Sequence, residues 1–242
     1  MRSLIVIPTY QEAANVVDVL RRVRAAAPDV DVLVVDDGSP DGTADIADAA
    51  GHELGHVTVM RRPGKAGLGS AYRAGFRWGL DRGYEALVEM DADLSHDPAV
   101  IPELLANVAD GVDLVIGSRY VPGGSIPTWT TWRRGLSRWG NRYAAWALGL
   151  DVADATAGFR AYRADALVDI AFETVRADGY GFQIETAYRM LQRGRKIVEI
   201  PICFFDRQQG ASKMSGRIVA EALLLVTAWG ARDRVRRLAH RG

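Results

Sequence analysis

Cysteine is almost absent from this chain of 242 residues, where Cys203 is the only one. A single thiol cannot form an internal disulfide framework, and its isolation fits a reducing compartment. Because Cys203 lies in a strand-like stretch, we interpret it as a small hydrophobic side chain rather than a nucleophile. Stability must then come from a core, for which 48% of hydrophobic residues is ample.

Net charge and long apolar runs are also missing. Thirty Lys and Arg residues balance thirty Asp and Glu residues, so no overall field attracts nucleic acid and any phosphate site must be local. No apolar run approaches the roughly 18 to 20 residues that a membrane span needs. The N-terminus enters strand-like sequence at once, without a signal-peptide pattern. These absences predict a soluble or peripheral protein without nucleic acid as a partner.

The common glycine motifs for binding phosphate are incomplete. The stretch Gly64-Lys-Ala-Gly-Leu-Gly-Ser70 does not follow the order G-x-x-x-x-G-K-S/T of a P-loop. Tyr72 stands where a dinucleotide fingerprint needs its last glycine, and the stretch follows the third predicted strand rather than the first. The sequence therefore disfavours a dinucleotide-dependent oxidoreductase. It predicts a flexible turn, from which Lys65 could contact a substrate phosphate.

Short apolar runs alternate with helical patterns along the chain. Runs such as 3–8 are continuous rather than alternating, which is typical of strands buried on both faces. Turn-rich segments separate them from helices such as the one carried by Val16, Val19, Leu20 and Val23. The alternation predicts an α/β fold with a largely parallel central sheet flanked by helices. The predicted strands are 3–8, 32–37, 56–60, one beginning at 86, 112–116 and 196–205.

Carboxylates follow two of these strands. Asp36 and Asp37 end the second strand, and Asp91 and Asp93 end the fourth, ahead of Pro98, which suits the first turn of a helix. In a doubly wound sheet these ends share one edge, so the side chains can converge on one crevice. Two carboxylates this close suit Mg²⁺ or Mn²⁺, which also bind substrate phosphate oxygens. The alternative is that aspartates here only cap the next helix, leaving one of Asp36 and Asp37 for a ligand.

Eight motifs stand in register along residues 4 to about 216. They are Val6-Ile-Pro-Thr-Tyr-Gln-Glu12, Val34-Val-Asp-Asp-Gly-Ser-Pro-Asp-Gly-Thr43, Met90-Asp-Ala-Asp-Leu-Ser-His-Asp-Pro98, Gly117-Ser-Arg-Tyr120, Arg133 with Ser137-Arg138 and Asn141, Thr156-Ala-Gly-Phe-Arg160, Gly181-Phe-Gln-Ile-Glu185 and Asp206-Arg-Gln-Gln-Gly-Ala-Ser-Lys213. Together these motifs resemble the polyprenyl (dolichyl) phosphate mannose synthases, which are inverting GT-A glycosyltransferases. The resemblance implies a GT-A, Rossmann-like nucleotide-sugar-binding domain over residues 1–216, followed by a basic C-terminal helix over 217–242.

The resemblance implies mannosyl transfer from GDP-mannose to a polyprenyl monophosphate, with inversion and with Mg²⁺ or Mn²⁺ held by Asp91 and Asp93. Some members carry glutamine where this chain has Ser95, so Ser95 is not included as a metal ligand. The implied catalytic residues are Asp91, Asp93, Arg119 and Arg133. The implied substrate-binding residues are Pro8, Tyr10, Glu12, Val35 and Asp37 at the guanosine, Asp91, Ala92 and Asp93 at the ribose and diphosphate, Arg119, Arg133, Arg207 and Lys213 at phosphates, and Gln183 at sugar hydroxyls.

Residues 128–150 combine aromatic and basic side chains on one predicted helix. Apolar residues recur every three or four positions and arginines lie opposite, with Arg133 on the flank between. This pattern predicts an amphipathic helix in a bilayer interface, with Arg133 guiding the acceptor phosphate. The alternative is a helix whose aromatic face packs on the core. The aromatic face comprises Trp129, Trp132, Leu136, Trp139, Tyr143, Trp146 and Leu150, and the basic face Arg134, Arg138 and Arg142.

Two rival functions remain open on sequence alone. One is a polyprenyl phosphate glucosyltransferase that uses UDP-glucose, and the other is a non-catalytic nucleotide-binding subunit that recruits a membrane partner. The resemblance implies a peripheral, cytoplasmic location on the membrane surface. The chain would reach its lipid through the aromatic helix, the basic C-terminal helix or a separate membrane-anchoring protein.

Overall fold

One seven-stranded sheet organises the computed structural model, which describes residues 1–206 and 216–239. The strands are β1 (Ser3–Thr9), β2 (Asp31–Asp36), β3 (Val57–Arg61), β4 (Ala86–Glu89), β5 (Leu114–Ser118), β6 (Arg160–Arg163) and β7 (Ile197–Pro201). They lie in the order β3-β2-β1-β4-β6-β5-β7. Only the pairs that involve β6 are antiparallel. The predicted α/β fold with a largely parallel sheet is therefore confirmed.

Helices cover both faces of this sheet. Within the described residues they are α1 (Val16–Ala26), α2 (Thr43–Leu54), α3 (Leu68–Leu80), α4 (Ile101–Ala109), α5 (Thr131–Leu148), α6 (Ala164–Asp169), α7 (Tyr180–Gln192) and α8 (Gly216–Ala239). Val16, Val19, Leu20 and Val23 are all buried on α1, as their spacing predicts. Pro98 begins a 3₁₀ turn that leads into α4, also as predicted.

Side chains of β1 show why the apolar runs are continuous. Leu4 and Val6 belong to one buried cluster, whereas Ile5 and Ile7 belong to a second cluster. Because successive residues of a strand point to opposite faces, the two clusters lie on opposite sides of the sheet. A strand covered on both faces needs apolar residues at every position, which removes the alternation seen in half-exposed strands.

The antiparallel strand β6 (Arg160–Arg163) was not among the predicted strands. β6 has four residues and an arginine at each end, so it carries no apolar run that would indicate a strand. It pairs between β4 and β5. Arg160 is fully buried and donates hydrogen bonds to the carbonyl oxygens of Ala155, Ala157 and Gln183. These contacts are long-range or loop contacts that local sequence does not encode.

Helix α5 is two to three residues shorter at each end than the predicted range 128–150. It buries Asn141, Ala144 and Leu148, not its aromatic face. The alternative of a core-facing aromatic stripe is therefore wrong for four side chains, although Trp129 and Leu150 at its ends are buried. The exposed side chains are Trp132, Leu136, Trp139 and Trp146, at 79%, 48%, 55% and 67% of their full exposure.

Helix α8 packs against α5 and α7. The backbones of α5 and α8 approach closely at Gly230, where a Cβ would stand 2.6 Å from the carbonyl oxygen of Ala147. Over the described ranges, no helix has both the length and the apolar character needed to cross a bilayer. Cys203 has a free, partly buried thiol. Its backbone forms an isolated parallel β-bridge with Ser125.

Candidate active site

The principal cavity lies at the carboxyl ends of β1 and β4. Strand order changes direction here, because β2 extends the sheet from β1 on one side and β4 on the other, and ligands of such sheets bind at this switch point. The cavity measures about 500 Å³. We call it the carboxylate pocket, because its walls include Glu12, Asp37, Asp91, Asp93, Asp178 and Glu221.

Seven of the predicted substrate-binding residues line this pocket together. They are Pro8, Tyr10, Glu12, Asp37, Asp91, Ala92 and Asp93. Val35 does not join them, since its side chain is fully buried in the core. Any contact from Val35 to a nucleoside would have to come from its backbone.

Asp91 and Asp93 are held by neighbouring donors. The hydroxyl of Tyr72 donates to Asp91 Oδ1 at 3.3 Å, and burial raises the pKa of Tyr72 well above its ordinary value, so the hydroxyl keeps its proton. The backbone N–H of Ser95 donates to Asp93 Oδ1 at 3.0 Å. Leu94, which lies between Asp93 and Ser95, adopts a left-handed backbone conformation with φ of 63°. The turn therefore fixes both carboxylates at the end of β4.

His96 supports the same turn. Its ring stacks on Phe159 with centroids 4.9 Å apart, and its Nδ1 accepts the backbone N–H of Asp91 at 3.2 Å. Burial lowers the pKa of His96 to about 4, although the nearby Asp93 charge opposes this. The imidazole is therefore neutral at physiological pH, with its proton on Nε2, and it positions Asp91 without adding charge.

A buried carboxyl group lies just before the aspartates. Glu89 is fully buried at the end of β4, and its register partner on β6 is Arg160. Burial raises the pKa of Glu89 to about 7, even though Arg160 lowers it. Glu89 therefore carries a proton over much of the acidic pH range. In that range the positive charge of Arg160 faces a neutral carboxyl group.

Neither Asp36 nor Asp37 caps the helix that follows, which differs from the predicted alternative. Asp36 accepts hydrogen bonds from Thr9 Oγ1 at 3.0 Å and from the backbone of Ser39 at 2.9 Å, so it holds a turn. The start of α2 is served instead by Asp41, which accepts the backbone N–H of Thr43. Asp37 lines the pocket, but it is not free, because Arg62 donates to its Oδ1 at 2.7 Å.

Arg119 is not part of the carboxylate pocket. It is only 6% exposed and forms a bidentate ion pair with Asp154, with Nε and Nη2 each 2.7 Å from a carboxylate oxygen. Burial alone would raise the pKa of Asp154, but the guanidinium outweighs it and lowers that pKa. Arg119 thus forms a buried ion pair, and its contact with a substrate phosphate stays a prediction.

Arg133 lies at a second cavity, about 100 Å³ in volume, between α5, α7 and α8. We call it the apolar groove; its lining includes Trp129, Leu136, Ala144, Ile184, Ala222, Leu223 and Val226. The guanidinium lies 3.9 Å from the centre of the Trp129 ring and pairs with Asp206 at 3.1 Å. Arg133 thus places a cation at a largely apolar cavity.

The two cavities adjoin. Gly179 and Glu221 line the carboxylate pocket, and the residues that follow them in the chain, Tyr180 and Ala222, line the apolar groove. The start of α7 and the segment of α8 around Glu221 and Ala222 thus form a wall that both cavities share. A ligand with a polar head and an apolar tail could occupy both cavities.

The remaining predicted residues are split. Gln183 is buried. Its Nε2 atom and Asp91 Oδ2 both face Gly158, because a Cβ on that glycine would lie 3.8 Å from each of them. Glu185 lies one turn inside α7, not at its start, and pairs with Arg189 at 2.5 Å. Arg207 and Lys213 lie outside the described residues.

Three pocket residues were missed or underweighted by the sequence interpretation: Asp178, Glu221 and Lys65. Asp178 accepts the backbone N–H of Gly69 at 2.9 Å. Its carboxylate occupies the space that a Cβ of residue 67 would need, and the φ of 94° at Gly67 also favours glycine at that position. Lys65 Nζ lies 4.5 Å from the centre of the Tyr10 ring. The glycine-rich stretch was a signal for Lys65, whereas nothing local indicates Asp178.

A divalent cation fits the donor set at Asp91 and Asp93. Both are carboxylates on the wall of one pocket, and Mg²⁺ or Mn²⁺ needs only one or two of these when substrate phosphates supply further oxygens. In the part of the chain that the structure describes, no cluster of three or more His, Cys, Asp or Glu residues could hold a metal ion by itself.

A mostly parallel sheet with a polar pocket at its switch point is the architecture of α/β proteins that bind nucleotides. Residues 4–171 match the model of Glycosyl transferase family 2. The chain belongs to this family and is a glycosyltransferase.

Two relatives cover almost the whole chain. The undecaprenyl-phosphate mannosyltransferase of Micrococcus luteus is 53% identical over 95% of this chain and 94% of its own length. The polyprenol monophosphomannose synthase of Mycolicibacterium smegmatis is 50% identical over 98% of this chain and 89% of its own length. The resemblance to polyprenyl phosphate mannose synthases is confirmed by these similarities.

A solved structure supports the fold. Glucosyl-3-phosphoglycerate synthase from Mycobacterium tuberculosis, in complex with Mn²⁺, UDP-glucose and phosphoglyceric acid, aligns with a TM-score of 0.72 at 19% identity. The alignment covers 95% of this chain and 80% of that chain. The predicted GT-A fold is therefore confirmed.

Proposed function

We propose that this glycosyltransferase transfers mannose from GDP-mannose to a polyprenyl monophosphate, with inversion at the anomeric carbon. The observation that carries the proposal is the shared wall between the carboxylate pocket and the apolar groove. A nucleotide-sugar suits the first cavity and a prenyl chain the second, so the reacting groups meet between them. The names of the two relatives support mannose as the transferred sugar and a polyprenyl phosphate as the acceptor.

The carboxylate pocket would hold the donor. Tyr10 offers a ring for the base, Glu12 and Asp37 offer acceptors for nucleoside N–H and O–H groups, and Lys65 offers a cation near the phosphates. Asp91 and Asp93 would hold Mg²⁺ or Mn²⁺, which when bound stabilises the negative charge on the departing diphosphate. A structural neighbour was solved with Mn²⁺ and a nucleotide-sugar.

The acceptor supplies its own nucleophile. A phosphate-monoester oxygen is already largely anionic near neutral pH, so a strong general base is not required. Catalysis then depends on positioning and on charge balance. Arg133 can serve both, because its planar fork grips phosphate and its ring and carboxylate contacts hold it at the mouth of the apolar groove. Arg207 and Lys213 are proposed to contribute further phosphate contacts.

The exposed aromatic face of α5 would bring the enzyme to its lipid. Four large apolar side chains stand in solvent on one helix, and such contiguous patches mark interaction surfaces. We place the protein peripherally at the cytoplasmic face of the membrane. A separate anchoring protein is needed only if this surface fails to bind lipid unaided.

The decisive experiment supplies purified protein and polyprenyl phosphate with labelled GDP-mannose or labelled UDP-glucose, in the presence of Mg²⁺ or Mn²⁺. Label transferred to lipid from GDP-mannose supports the proposal. Transfer from UDP-glucose alone rejects the mannose assignment in favour of the glucosyltransferase.

A non-catalytic nucleotide-binding subunit gives a different result. It would bind GDP-mannose but transfer nothing from either donor, and replacing Asp93 would leave its function intact. The enzyme hypothesis instead requires that Asp93→Ala abolish transfer.

A further inference from the structure

Tyr180 stands where the carboxylate pocket and the apolar groove meet. It begins α7 and lines the apolar groove, whereas Gly179, immediately before it, lines the carboxylate pocket. Asp178, one residue earlier, accepts the backbone N–H of Gly69 at 2.9 Å, which ties this turn to the first turn of α3. The phenol is therefore carried to the junction of the two cavities by an anchored helix start.

Two guanidinium groups lie against the same part of the groove. The guanidinium carbons of Arg133 and Arg119 are 3.9 Å and 5.6 Å from the centre of the Trp129 ring, which lines the groove. Arg119 also donates to Thr156 Oγ1 at 2.8 Å, and Thr156 is another lining residue of the groove. The polar end of the groove therefore lies around Trp129 and Thr156.

The hydroxyl of Tyr180 responds to charges on both sides of the junction. Burial raises the pKa of Tyr180 above its ordinary value, so the phenol keeps its proton. The positive charges of Arg119 and Arg133 lower this pKa, and the negative charges of Asp91 and Asp154 raise it. Because an electrostatic effect weakens with distance, a hydroxyl that responds to Asp91 and to Arg133 stands between the carboxylate pocket and the polar end of the groove.

A phosphate at this junction needs a donor besides the arginines. The donors of Arg119 are shared with the buried carboxylate of Asp154, whereas the more exposed pair of Arg133 with Asp206 is cheap to break. Arg133 can then grip the phosphate, but a second donor from another direction is required to fix which oxygen faces the sugar. A protonated phenol supplies that donor without adding charge.

We infer that the Tyr180 hydroxyl donates a hydrogen bond to a non-attacking oxygen of the acceptor phosphate and so turns the attacking oxygen towards the donor sugar. This role rests on the proposed function, and it makes Tyr180 a further catalytic residue of the transfer reaction. The ring itself packs against the apolar cluster of the core. Phenylalanine keeps that packing, so Tyr180→Phe removes the hydroxyl alone.

The first test compares the binding of a prenyl phosphate with that of the matching alcohol. Farnesyl phosphate and farnesol are titrated into the purified full chain by calorimetry at a constant detergent concentration. The wild-type protein should prefer the phosphate. Tyr180→Phe should reduce that preference about tenfold or more, because a hydrogen bond to a charged group is lost, and should leave the affinity for farnesol unchanged.

Tyr188→Phe is the matched control. It removes a hydroxyl from the same helix, whose partner is Asp233 on α8, and Tyr188 lines neither cavity. Its preference for farnesyl phosphate should equal that of the wild type. Equal weakening of both ligands by Tyr180→Phe would show that Tyr180 only shapes the groove and would overturn the inference. Unchanged affinities in that variant, or no preference in the wild type, would overturn it as well.

The second test measures turnover and donor binding. In Tyr180→Phe, kcat/KM for polyprenyl phosphate should fall about ten- to a hundredfold, while the affinity for GDP-mannose in the presence of Mn²⁺ should not change. A loss of GDP-mannose affinity with an intact preference for farnesyl phosphate would assign the hydroxyl to the donor and overturn the inference. A wild-type protein that transfers nothing from GDP-mannose would reject the proposed function, whereas the comparison of farnesyl phosphate with farnesol would still decide the role of Tyr180.

Discussion

The carboxylate pocket and the exposed face of α5 are built on opposite principles. The pocket stands on strand ends inside the protein, and its key carboxylates accept hydrogen bonds from buried or backbone donors. The face of α5 exposes Trp132, Leu136, Trp139 and Trp146 to solvent. Chemistry on a nucleotide-sugar needs charges fixed in advance, whereas lipid recognition needs surface that remains available until a bilayer covers it.

A similar contrast separates a buried ion pair that lies outside the carboxylate pocket from a more exposed ion pair at α5. The Arg119–Asp154 pair is almost completely buried, with 6% and 0% of the side chains exposed, whereas Arg133 and Asp206 are 35% and 41% exposed. A buried pair is costly to break because one charge is then left in the interior. An exposed pair is cheap to break, so Arg133 can leave Asp206 for a substrate phosphate.

The largest effect is expected at the pocket itself. Asp93→Asn should lower mannosyl transfer roughly a thousandfold or more, because it would remove one of the two proposed ligands of the divalent ion. Asp97→Asn is the control: Asp97 accepts only the N–H of Ala99 at a 3₁₀ turn and does not line the pocket. Transfer is measured with labelled GDP-mannose at saturating metal. Activity near wild type in the Asp93 variant would remove Asp93 from the mechanism.

The contrast between the ion pairs is tested by protein stability. Asp154→Asn should lower the free energy of unfolding by about 3–5 kcal/mol, since Arg119 would keep its charge without its partner. Asp206→Asn should cost about 1 kcal/mol or less, because that pair is exposed to solvent. Both values come from urea unfolding at neutral pH. Similar losses in the two variants would contradict the distinction between buried and exposed pairs.

Glu89 predicts how the interior below the pocket responds to pH. Burial raises its pKa in the folded protein to about 7, above the ordinary value of 4.5. As the pH rises, the unfolded chain therefore loses this proton at a lower pH than the folded protein does. The free energy of unfolding should therefore fall as pH rises from about 4.5 to about 7, by roughly 3 kcal/mol at most. The comparison is between wild type and Glu89→Gln, unfolded in urea at pH 5 and pH 8 with a metal chelator present.

The Glu89→Gln variant should lack this part of the pH dependence. Glu85→Gln is the control, because Glu85 lies at the surface and accepts the N–H of Arg2. Identical pH profiles for wild type and Glu89→Gln would show that Glu89 ionises normally in the folded protein.

The smallest change in stability is expected on the exposed face of α5. Trp132→Ser combined with Trp139→Ser should weaken vesicle binding roughly tenfold, because two large apolar side chains no longer enter the interface. The free energy of unfolding should change by only about 0.5 kcal/mol. Val168→Ser combined with Leu191→Ser, which removes exposed apolar side chains from α6 and α7, should leave vesicle binding unchanged. Unchanged binding in the tryptophan variant would place the lipid contact elsewhere.

Much of the fold could be predicted because its signals are local. Six of the seven described strands overlap predicted ones, and the continuous apolar runs of β1, β2, β4 and β5 are strands buried on both faces, as predicted. The positions of Asp91 and Asp93 at a strand end, and therefore at the switch point of the sheet, follow from the same reasoning. Strand β6 escaped because its four residues depend on two neighbouring strands and carry no pattern of their own.

The sequence by itself determined the alternation of strands and helices, the carboxylates at the end of β4 and the amphipathic character of α5, since each depends on residues close together in the chain. Only the tertiary structure decided which face of α5 is buried, that Asp154 neutralises Arg119 from 35 positions away, and that Asp178 and Glu221 reach the pocket. The physical reason is that ion pairs and cavity walls form between elements whose neighbours are set by sheet order and helix packing. Periodicity and turn signals do not encode that order.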